Sequence, residues 1–274
     1  MASSKQPLKV AIAGLGAIGL TVARRLDAGA VPGLSLAAVS ARDHGKARKT
    51  VAGFKSAPAI LDLAALPDAA DIVVECLPAR NFAEIAEPAV ERGLIFMPLS
   101  VGALLNHMHL LERARETGAR IVVPTGALLG LDAVRAAAEG TIHSVTLETR
   151  KPPGGLAGAP LLVQRGISVE DLKEPLLVFE GSAREAIAGF PANVNVAVAL
   201  SLAGIGPDQT RVEIWADPAV TRNTHKVILK SDSSDLAMTI ANIPSPENPR
   251  TGAITALSVL AALRRLTAPL VVGS

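Results

Sequence analysis

The chain has 274 residues and a formal net charge of +2, and 49% of its residues are hydrophobic but only 2% aromatic. This length allows one large domain or two modest ones. The small net charge gives no reason to expect nucleic acid or an anionic membrane as a partner. The single cysteine, Cys76, excludes an internal disulfide and suits a reducing compartment. The N-terminus lacks a signal-peptide pattern and no apolar run reaches the roughly 18 residues of a membrane span, so we expect a soluble, cytoplasmic protein.

The first half of the chain alternates strand-like and helix-like segments. Short apolar strands are expected at 8–13, 34–40, 71–77, 94–100 and 120–124, and helices at 17–28, 44–54, 81–92 and 103–117. Strands this apolar are covered on both faces, and their alternation with helices predicts a parallel, doubly wound sheet. We therefore expect an N-terminal Rossmann domain, of the α/β class, over residues 1–125.

From about Thr141 onwards, apolar and polar residues alternate. The stretches are "TIHSVTLETRK", "TRVEIWAD", "NTHKVILKS" and "DLAMTIANI", with helices expected at 182–188 and 194–203. Such alternation is typical of a sheet with one covered face. Residues 126–249 are therefore expected to form an α+β domain with a mixed or antiparallel sheet, for substrate binding, catalysis and dimerisation. A final helix at 252–266 is apolar on most faces, which predicts that it is buried and that residues 250–274 complete the first domain.

Three glycines, Gly14, Gly16 and Gly19, form the pattern G-x-G-x-x-G between the first predicted strand and helix. In a dinucleotide-binding turn the first glycine permits the tight turn, the second lets the backbone approach a pyrophosphate, and the third lets the helix pack on the strand. The helix start, with Ala17 and Ile18, offers unpaired N–H groups to the phosphates. The alternative is a turn with incidental glycines, but four more strand–helix units follow, which favours dinucleotide binding.

The end of the second predicted strand bears on the choice between NAD and NADP. NAD sites usually place an acid there for the ribose 2′-hydroxyl, whereas this chain has Ser40 and Ala41. Arg42 is able to pair with a 2′-phosphate, although it is equally typical of a solvated loop. Asp43 is expected to cap the next helix. We predict that the site accepts both cofactors.

The stretch "DIVVECLPA" ends a predicted strand at the carboxyl edge of the sheet, where ligands lie in open α/β folds. We therefore expect Cys76, Leu77 and Pro78 to line the cofactor site. Cys76 is interpreted as a small apolar filler, because no histidine or activating charge lies near it in the sequence.

Four stretches resemble the L-aspartate dehydrogenase family: "LSVGAL", "VPTGALLGLDAV", "FPANVNVAVALSLAG" and "TRNTHKVIL". The resemblance runs over nearly the whole chain. Departures are small: Thr125 stands where the family often has Ser, and "ALLGLD" where "AIGGLD" is common. The resemblance implies NAD- or NADP-dependent oxidative deamination of L-aspartate through iminoaspartate to oxaloacetate and ammonia. It also implies the reverse reaction, supply of the imine to NAD biosynthesis, and a homodimer.

The resemblance assigns catalysis to His225 and cofactor contact to Ala127 and Asn195. Hydride leaves the substrate Cα readily only when the amine is neutral, so the site needs a base, and imidazole titrates near neutrality. Without the resemblance, a histidine in a strand is more often structural. The matching role of Ala127 is backbone contact, and that of Asn195 is an amide reaching the nicotinamide carboxamide or the ribose.

The substrate residues are less well defined by the sequence. Asn193 either caps a helix or contacts substrate, and Thr224 and Lys226 flank the histidine. Two substrate carboxylates require cationic or N–H donors. The candidate cations, which the sequence does not rank, are Arg150, Lys151, Arg222 and Lys226.

Two other interpretations stay open at this point. Another two-domain oxidoreductase, similar to homoserine dehydrogenase or dihydrodipicolinate reductase, would share the glycine pattern but should lack the "NVN" and "THK" motifs. A non-catalytic dinucleotide-sensing module would not need His225. The sequence has no clustered cysteines and no H-E-x-x-H pattern, so we expect no metal.

Overall fold

The computed structural model describes residues 6–191 and 194–273, with the backbone alone at 249–250. The chain divides into two compact units. The first comprises the residues up to Pro124 together with Ala256–Val271, and the second comprises Thr125–Thr255 with the last residues from Val272.

The first unit contains a parallel sheet. Its strands are β1 (Leu8–Ala13), β2 (Leu34–Ser40), β3 (Ala59–Ile60), β4 (Ile72–Glu75), β5 (Ile95–Pro98) and β6 (Arg120–Ile121). Its helices before residue 124 are α1 (Ala17–Asp27), α2 (His44–Val51), α3 (Phe82–Glu91), α4 (Val101–Leu104) and α5 (His109–Thr117). The strand order is β3-β2-β1-β4-β5-β6, with every neighbouring pair parallel. This is the Rossmann order, so the predicted fold class of this part is confirmed.

The structure differs from the sequence prediction in local detail. The helix expected at 103–117 is broken by a 3-10 turn at Leu105–His107, between α4 and α5. The strand expected at 71–77 ends at Glu75, because the side chain of that residue accepts the N–H of Leu77 and draws the chain out of the sheet. The short edge strand β3 was not predicted, since two residues carry no periodic signal.

The second unit contains a mixed sheet. Its strands are β7 (Ile142–Lys151), β8 (Leu176–Ser182), β9 (Arg211–Ala216), β10 (Thr224–Ser231), β11 (Asp235–Ala241), β12 (Pro244–Ser245) and β13 (Asn248–Gly252). Its helices are α6 (Leu131–Ala137), α7 (Pro160–Arg165), α8 (Ala183–Gly189) and α9 (Asn195–Ala203). The main sheet has the order β11-β10-β7-β9-β8, with β7 and β9 parallel and the other neighbours antiparallel, and β12 pairs with β13. The predicted mixed sheet is confirmed, whereas β8, α6 and α7 were not predicted.

One face of this sheet is covered, and it changes from apolar to polar along β7. Buried Val145 and Leu147 occupy one end of that strand, and buried Thr149 and Lys151 occupy the other. The antiparallel register sets His225, at the start of β10, opposite Thr149. Because side chains at i and i+2 share a face, the polar residues of both strands collect at one end of the covered face.

The last helix, α10 (Ile254–Thr267), packs in the first unit. Ala256, Val259 and Leu263 are buried in the same core as the residues of β1 and β2. The prediction that this helix is buried on most faces is wrong, since Leu257 is 50% exposed. The Ala-rich composition hides an amphipathic pattern with a single buried stripe. Within the described ranges, no helix is long and apolar enough to cross a membrane.

Candidate active site

The glycine-rich turn joins β1 to α1. Gly14 has φ +100°, a conformation that side chains rarely adopt, and a Cβ there would lie 2.7 Å from the carbonyl oxygen of Cys76. The N–H of Gly14 donates to the carbonyl of Ser40 at 2.9 Å, which ties the end of β1 to the end of β2. A Cβ on Gly19 would overlap the carbonyl oxygen of Gly14. Helix α1 can therefore pack this closely on the turn only because residue 19 is glycine.

Gly16 has a different environment from the other two glycines. It is the N-cap of α1, it is exposed, and a Cβ there would meet no protein atom within 4 Å. Ala17 and Ile18, the first residues of the helix, are half-buried. The turn therefore presents open space in front of the N–H groups of an eleven-residue helix, whose partial positive charge favours an anion. These residues fit the pyrophosphate of a dinucleotide cofactor.

The end of β2 carries the residues that the sequence analysis related to the choice of cofactor. Ser40 is buried and Arg42 is exposed. The side chain of Asp43 accepts the N–H of Lys46 at 2.9 Å, which confirms that Asp43 is the N-cap of α2. The carboxylate that could be mistaken for a ribose ligand is therefore engaged by its own helix.

A buried carboxylate, Glu75, organises the neighbouring edge of the sheet. It accepts hydrogen bonds from the N–H groups of Leu77 (2.7 Å), Leu99 (3.1 Å) and Ser100 (2.9 Å), and from the Ser100 hydroxyl (3.0 Å). Burial raises the pKa of Glu75, and these hydrogen bonds oppose that rise. The carboxylate thus joins the chain that follows β4 to the chain that follows β5.

Cys76, Leu77 and Pro78 follow directly on this carboxylate. Cys76 is half-buried and packs against the core of the first unit, while Pro78 is exposed. Burial and the adjacent charge of Glu75 both raise the pKa of the Cys76 thiol. A thiol kept protonated is a poor nucleophile, which agrees with its interpretation as a small filler.

In the second unit, His225 is 3% exposed and forms a hydrogen bond of 3.1 Å between its Nδ1 and the Oγ1 of Thr149. Burial and the charge of Lys151 lower the pKa of His225 to about 3. Burial also lowers the pKa of Lys151 to about 8. The expectation that this imidazole titrates near neutrality is therefore corrected. At neutral pH the ring is uncharged, because both its environment and its neighbour oppose protonation.

A cavity of about 470 Å³ lies beside this polar end of the sheet. Its wall includes Lys151, Arg222, Asn242 and Gly252, together with a loop over residues 152–160. His225 does not itself line the cavity. Lys151 connects the two features, since its side chain lines the cavity and its charge acts on the imidazole. Two of the four cations that the sequence left unranked thus reach the cavity.

The remaining predicted substrate residues lie elsewhere. Thr224 and Lys226 are half-buried on the face of β10 opposite to His225, because consecutive strand residues point to opposite faces. Lys226 pairs in register with Glu148, and Thr224 with Arg150. The structure therefore does not bring Thr224 and Lys226 to the cavity.

The last three predicted site residues are Asn193, Asn195 and Ala127. Asn193 lies outside the described residues. Asn195 is the first residue of α9 and is exposed. Ala127 lies in a turn after residue 124, and its carbonyl accepts a hydrogen bond of 2.9 Å from the side-chain amide of Asn242.

Family models match both units of the chain. A model described as "Aspartate dehydrogenase, C-terminal" matches residues 132–266. A model described as "Homoserine dehydrogenase, NAD binding domain" matches residues 14–124. The second match supports a nicotinamide cofactor for the first unit, while the unit with His225 and the cavity matches the aspartate enzymes.

Similar whole proteins decide between these two names. An L-aspartate dehydrogenase of Bradyrhizobium diazoefficiens is 55% identical over 99% of this chain and 96% of its own length. L-aspartate dehydrogenase 3 of Bordetella bronchiseptica is 54% identical over 99% of this chain and 100% of its own length. The chain belongs to the L-aspartate dehydrogenase family.

Solved structures agree with membership of the L-aspartate dehydrogenase family. A crystal structure of aspartate dehydrogenase from Thermotoga maritima has a TM-score of 0.75 at 26% identity and covers 97% of this chain and 99% of that chain. A scyllo-inositol dehydrogenase from Lactobacillus casei, with bound NAD(H), has a TM-score of 0.52 at 14% identity over 94% of this chain and 86% of that chain, which shows a shared fold alone.

Three residues that shape the candidate site were not identified from the sequence. Glu75 had a usable signal, since a carboxylate ending the apolar run "DIVVE" is expected to need several donors. Thr149 and Asn242 had none, because each acquires its role from a pairing between distant segments. Within the described parts of the chain, no group of three or more His, Cys, Asp or Glu side chains could hold a metal ion.

Proposed function

We propose that this chain is an L-aspartate dehydrogenase, which oxidises L-aspartate through iminoaspartate to oxaloacetate and ammonia and also catalyses the reverse reaction. The observation that carries the proposal is the polar end of the covered face, where buried His225, Thr149 and Lys151 lie together. This group belongs to the part of the chain matched by the C-terminal model of aspartate dehydrogenases. The first unit supplies the nicotinamide cofactor, which accepts the hydride that leaves the substrate Cα.

The cavity has the charge that a dicarboxylate substrate requires. Lys151 and Arg222 both line it, and cations bind carboxylates by charge-assisted hydrogen bonds. With its pKa near 8, Lys151 is mostly protonated at neutral pH. A substrate carboxylate at Lys151 offsets the positive charge that opposes protonation of His225, so substrate binding raises the basicity of the imidazole. His225 is therefore a stronger base when a substrate carboxylate is bound at Lys151 than when the site is empty.

The hydrogen bond between Nδ1 and the hydroxyl of Thr149 holds the imidazole in place. When Nδ1–H donates to the Oγ1 of Thr149, Nε2 carries a free lone pair. In this proposal, substrate bound beside Lys151 reaches Nε2, which accepts a proton from the substrate ammonium before hydride leaves and then releases that proton to solvent. Nε2 next accepts a proton from the water that attacks the imine and returns it to the nitrogen that leaves as ammonia. Thr149 is therefore a positioning residue, and His225 is the catalytic residue.

Several finer features are part of the proposal. Dual use of NAD and NADP is supported by buried Ser40 and exposed Arg42 at the end of β2, where NAD-specific sites usually carry an acid. The resemblance supports a homodimer, a role in supplying NAD biosynthesis, and contacts of Ala127 and Asn195 with the cofactor. A cytoplasmic location is supported by the single cysteine.

The test is a screen of substrates by absorbance of the reduced cofactor. L-aspartate, L-homoserine and other amino acids are offered with NAD or NADP, and oxaloacetate is offered with ammonium and NADH or NADPH. We expect turnover with L-aspartate and with oxaloacetate plus ammonium. Turnover of homoserine with none of aspartate would overturn the proposal, and so would cofactor binding without any turnover.

A further inference from the structure

A buried carboxylate, Asp217, adjoins the residues of the cavity wall. It follows β9, it is 4% exposed, and its Oδ2 accepts a hydrogen bond of 3.0 Å from the guanidinium of Arg150. Arg150 points to the face of β7 opposite to Lys151, because consecutive strand residues point to opposite faces. On that face Arg150 also donates to Glu148 at 2.6 Å and lies over the ring of Trp215. Asp217 and Arg150 lie outside the cavity wall, so they act on a ligand only through the residues that they hold.

Asp217 holds the chain at two points of this wall. Its backbone N–H donates to the carbonyl of Lys151 at 2.8 Å, and its Oδ1 accepts the N–H of Ala219 at 2.9 Å. The second bond closes a turn, from which the chain continues to Arg222 and Asn223 in the wall. The far end of this segment is also fixed, since the carbonyl of Asn223 accepts the N–H of the residue after β11 at 2.8 Å.

These bonds relate the two cations of the wall to each other. Lys151 ends β7 and Arg222 lies in the segment after β9, and Asp217 joins the two segments. Arg150 neutralises the carboxylate from the other face of the sheet, so the buried charge is paired. A dicarboxylate that contacts both Lys151 and Arg222 must match their spacing, because charge-assisted hydrogen bonds weaken steeply when distance and angle are wrong.

We propose that Asp217, held by Arg150, sets the spacing of Lys151 and Arg222 and thereby selects substrates with the four-carbon length of aspartate. This inference rests on the proposed function. Asp217 is a positioning residue, since it acts through the backbone of Lys151 and of the turn at Ala219. A wall without this link accepts dicarboxylates of different lengths more equally and binds each of them more weakly.

The test compares two ligands that differ by one methylene. Succinate and glutarate each carry two carboxylates, and neither reacts with the enzyme–NADH complex. Their Kd values are measured on that complex by calorimetry for the wild type, Asp217→Asn and Arg150→Met. We expect the wild type to prefer succinate about tenfold or more, which corresponds to one contact with a charged group, and both variants to prefer it about threefold or less.

The two variants perturb the same pair from opposite sides. Asp217→Asn keeps an oxygen for the N–H of Ala219 but turns an amide N–H₂ group towards Arg150, where two donors face each other. Arg150→Met changes a side chain on the other face of the sheet from Lys151, so a changed preference in this variant passes through Asp217. Arg150→Met also keeps the inference testable if Asp217→Asn does not fold.

Controls separate the possible causes of failure. Asp208→Asn removes the acceptor of an exposed ion pair with Arg184, and it should keep the wild-type preference. A merely structural role of the Asp217–Arg150 pair would lower Tm and leave the succinate-to-glutarate ratio unchanged, and that result in either folded variant overturns the inference. A wild type without a preference for succinate also overturns it. A wild type that fails to turn over aspartate in the substrate screen fails the proposed function instead, so the two failures are distinguished.

Discussion

The buried, uncharged state of His225 predicts a specific dependence of stability on pH. The ordinary pKa of 6.5 falls to about 3 in the folded chain. Between these values the unfolded chain binds a proton that the folded chain does not, so the free energy of unfolding decreases as the pH falls through this window. At pH 5 the loss relative to pH 7.5 is about 2 kcal/mol, from 1.36 kcal/mol per pKa unit over roughly 1.5 units. Replacing His225 by Gln removes this contribution.

The assay is urea unfolding of the wild type and His225→Gln at several pH values from 7.5 to 5. Fluorescence of Trp215, the single tryptophan, reports on the second unit because this residue lies in β9. Lys151 does not distort the comparison, since its pKa of about 8 lies above this range. His143→Gln, which removes an exposed histidine of β7, is the matched control and should keep the wild-type slope. Equal slopes for the wild type and His225→Gln would refute the reasoning, because the imidazole would then be equally protonated in both states.

Four further outcomes follow from the site. His225→Ala should lower kcat by ~10²–10⁴, the usual scale for a positioned acid–base group, with nucleotide affinity by fluorescence titration unchanged. Thr149→Val should lower kcat about tenfold through loss of one hydrogen bond, and Thr149→Ser should restore it; failure of the serine to restore kcat would argue against a positioning hydroxyl. Arg42→Ala should raise KM for NADPH more than for NADH, and Ala41→Asp should favour NADH by repelling the 2′-phosphate; unchanged kcat/KM ratios in both would mean that another segment reads the ribose. Gly16→Val should weaken nucleotide binding at least tenfold, roughly the loss of one charge-assisted contact, without lowering Tm, since its side chain enters open space; a normal Kd would exclude the turn as the phosphate site.

The first unit could be predicted closely from the sequence because its signals are local. The strands at 8–13 and 34–40 begin and end where β1 and β2 do, and the glycine pattern marks the turn after β1. The ends of elements were predicted less well where a side-chain contact, and not a change in the hydrophobic pattern, ends a strand or helix. Glu75 ends β4 by binding the N–H of Leu77, and a 3-10 turn divides the helix expected at 103–117.

The candidate site of the second unit could be predicted only in part. His225 was identified through its resemblance to a family motif, but its uncharged state follows from burial and from Lys151 on another strand. That proximity depends on the register between β7 and β10, which the sequence pattern does not specify. The cavity could not be predicted for the same reason. Its wall combines a loop after β7 with the segments around Arg222, Asn242 and Gly252.

The central claim is that this chain interconverts aspartate and oxaloacetate with a nicotinamide cofactor. It is tested most directly by incubating the protein with oxaloacetate, ¹⁵N-ammonium and NADH or NADPH, then analysing the product by chiral chromatography and mass spectrometry. The account predicts L-aspartate labelled at nitrogen, formed in equal amount to the cofactor oxidised, and formed ~10²–10⁴ times more slowly by His225→Ala. Oxidation of the cofactor that yields malate or another unlabelled product, or labelled aspartate formed equally well by His225→Ala, would contradict the account.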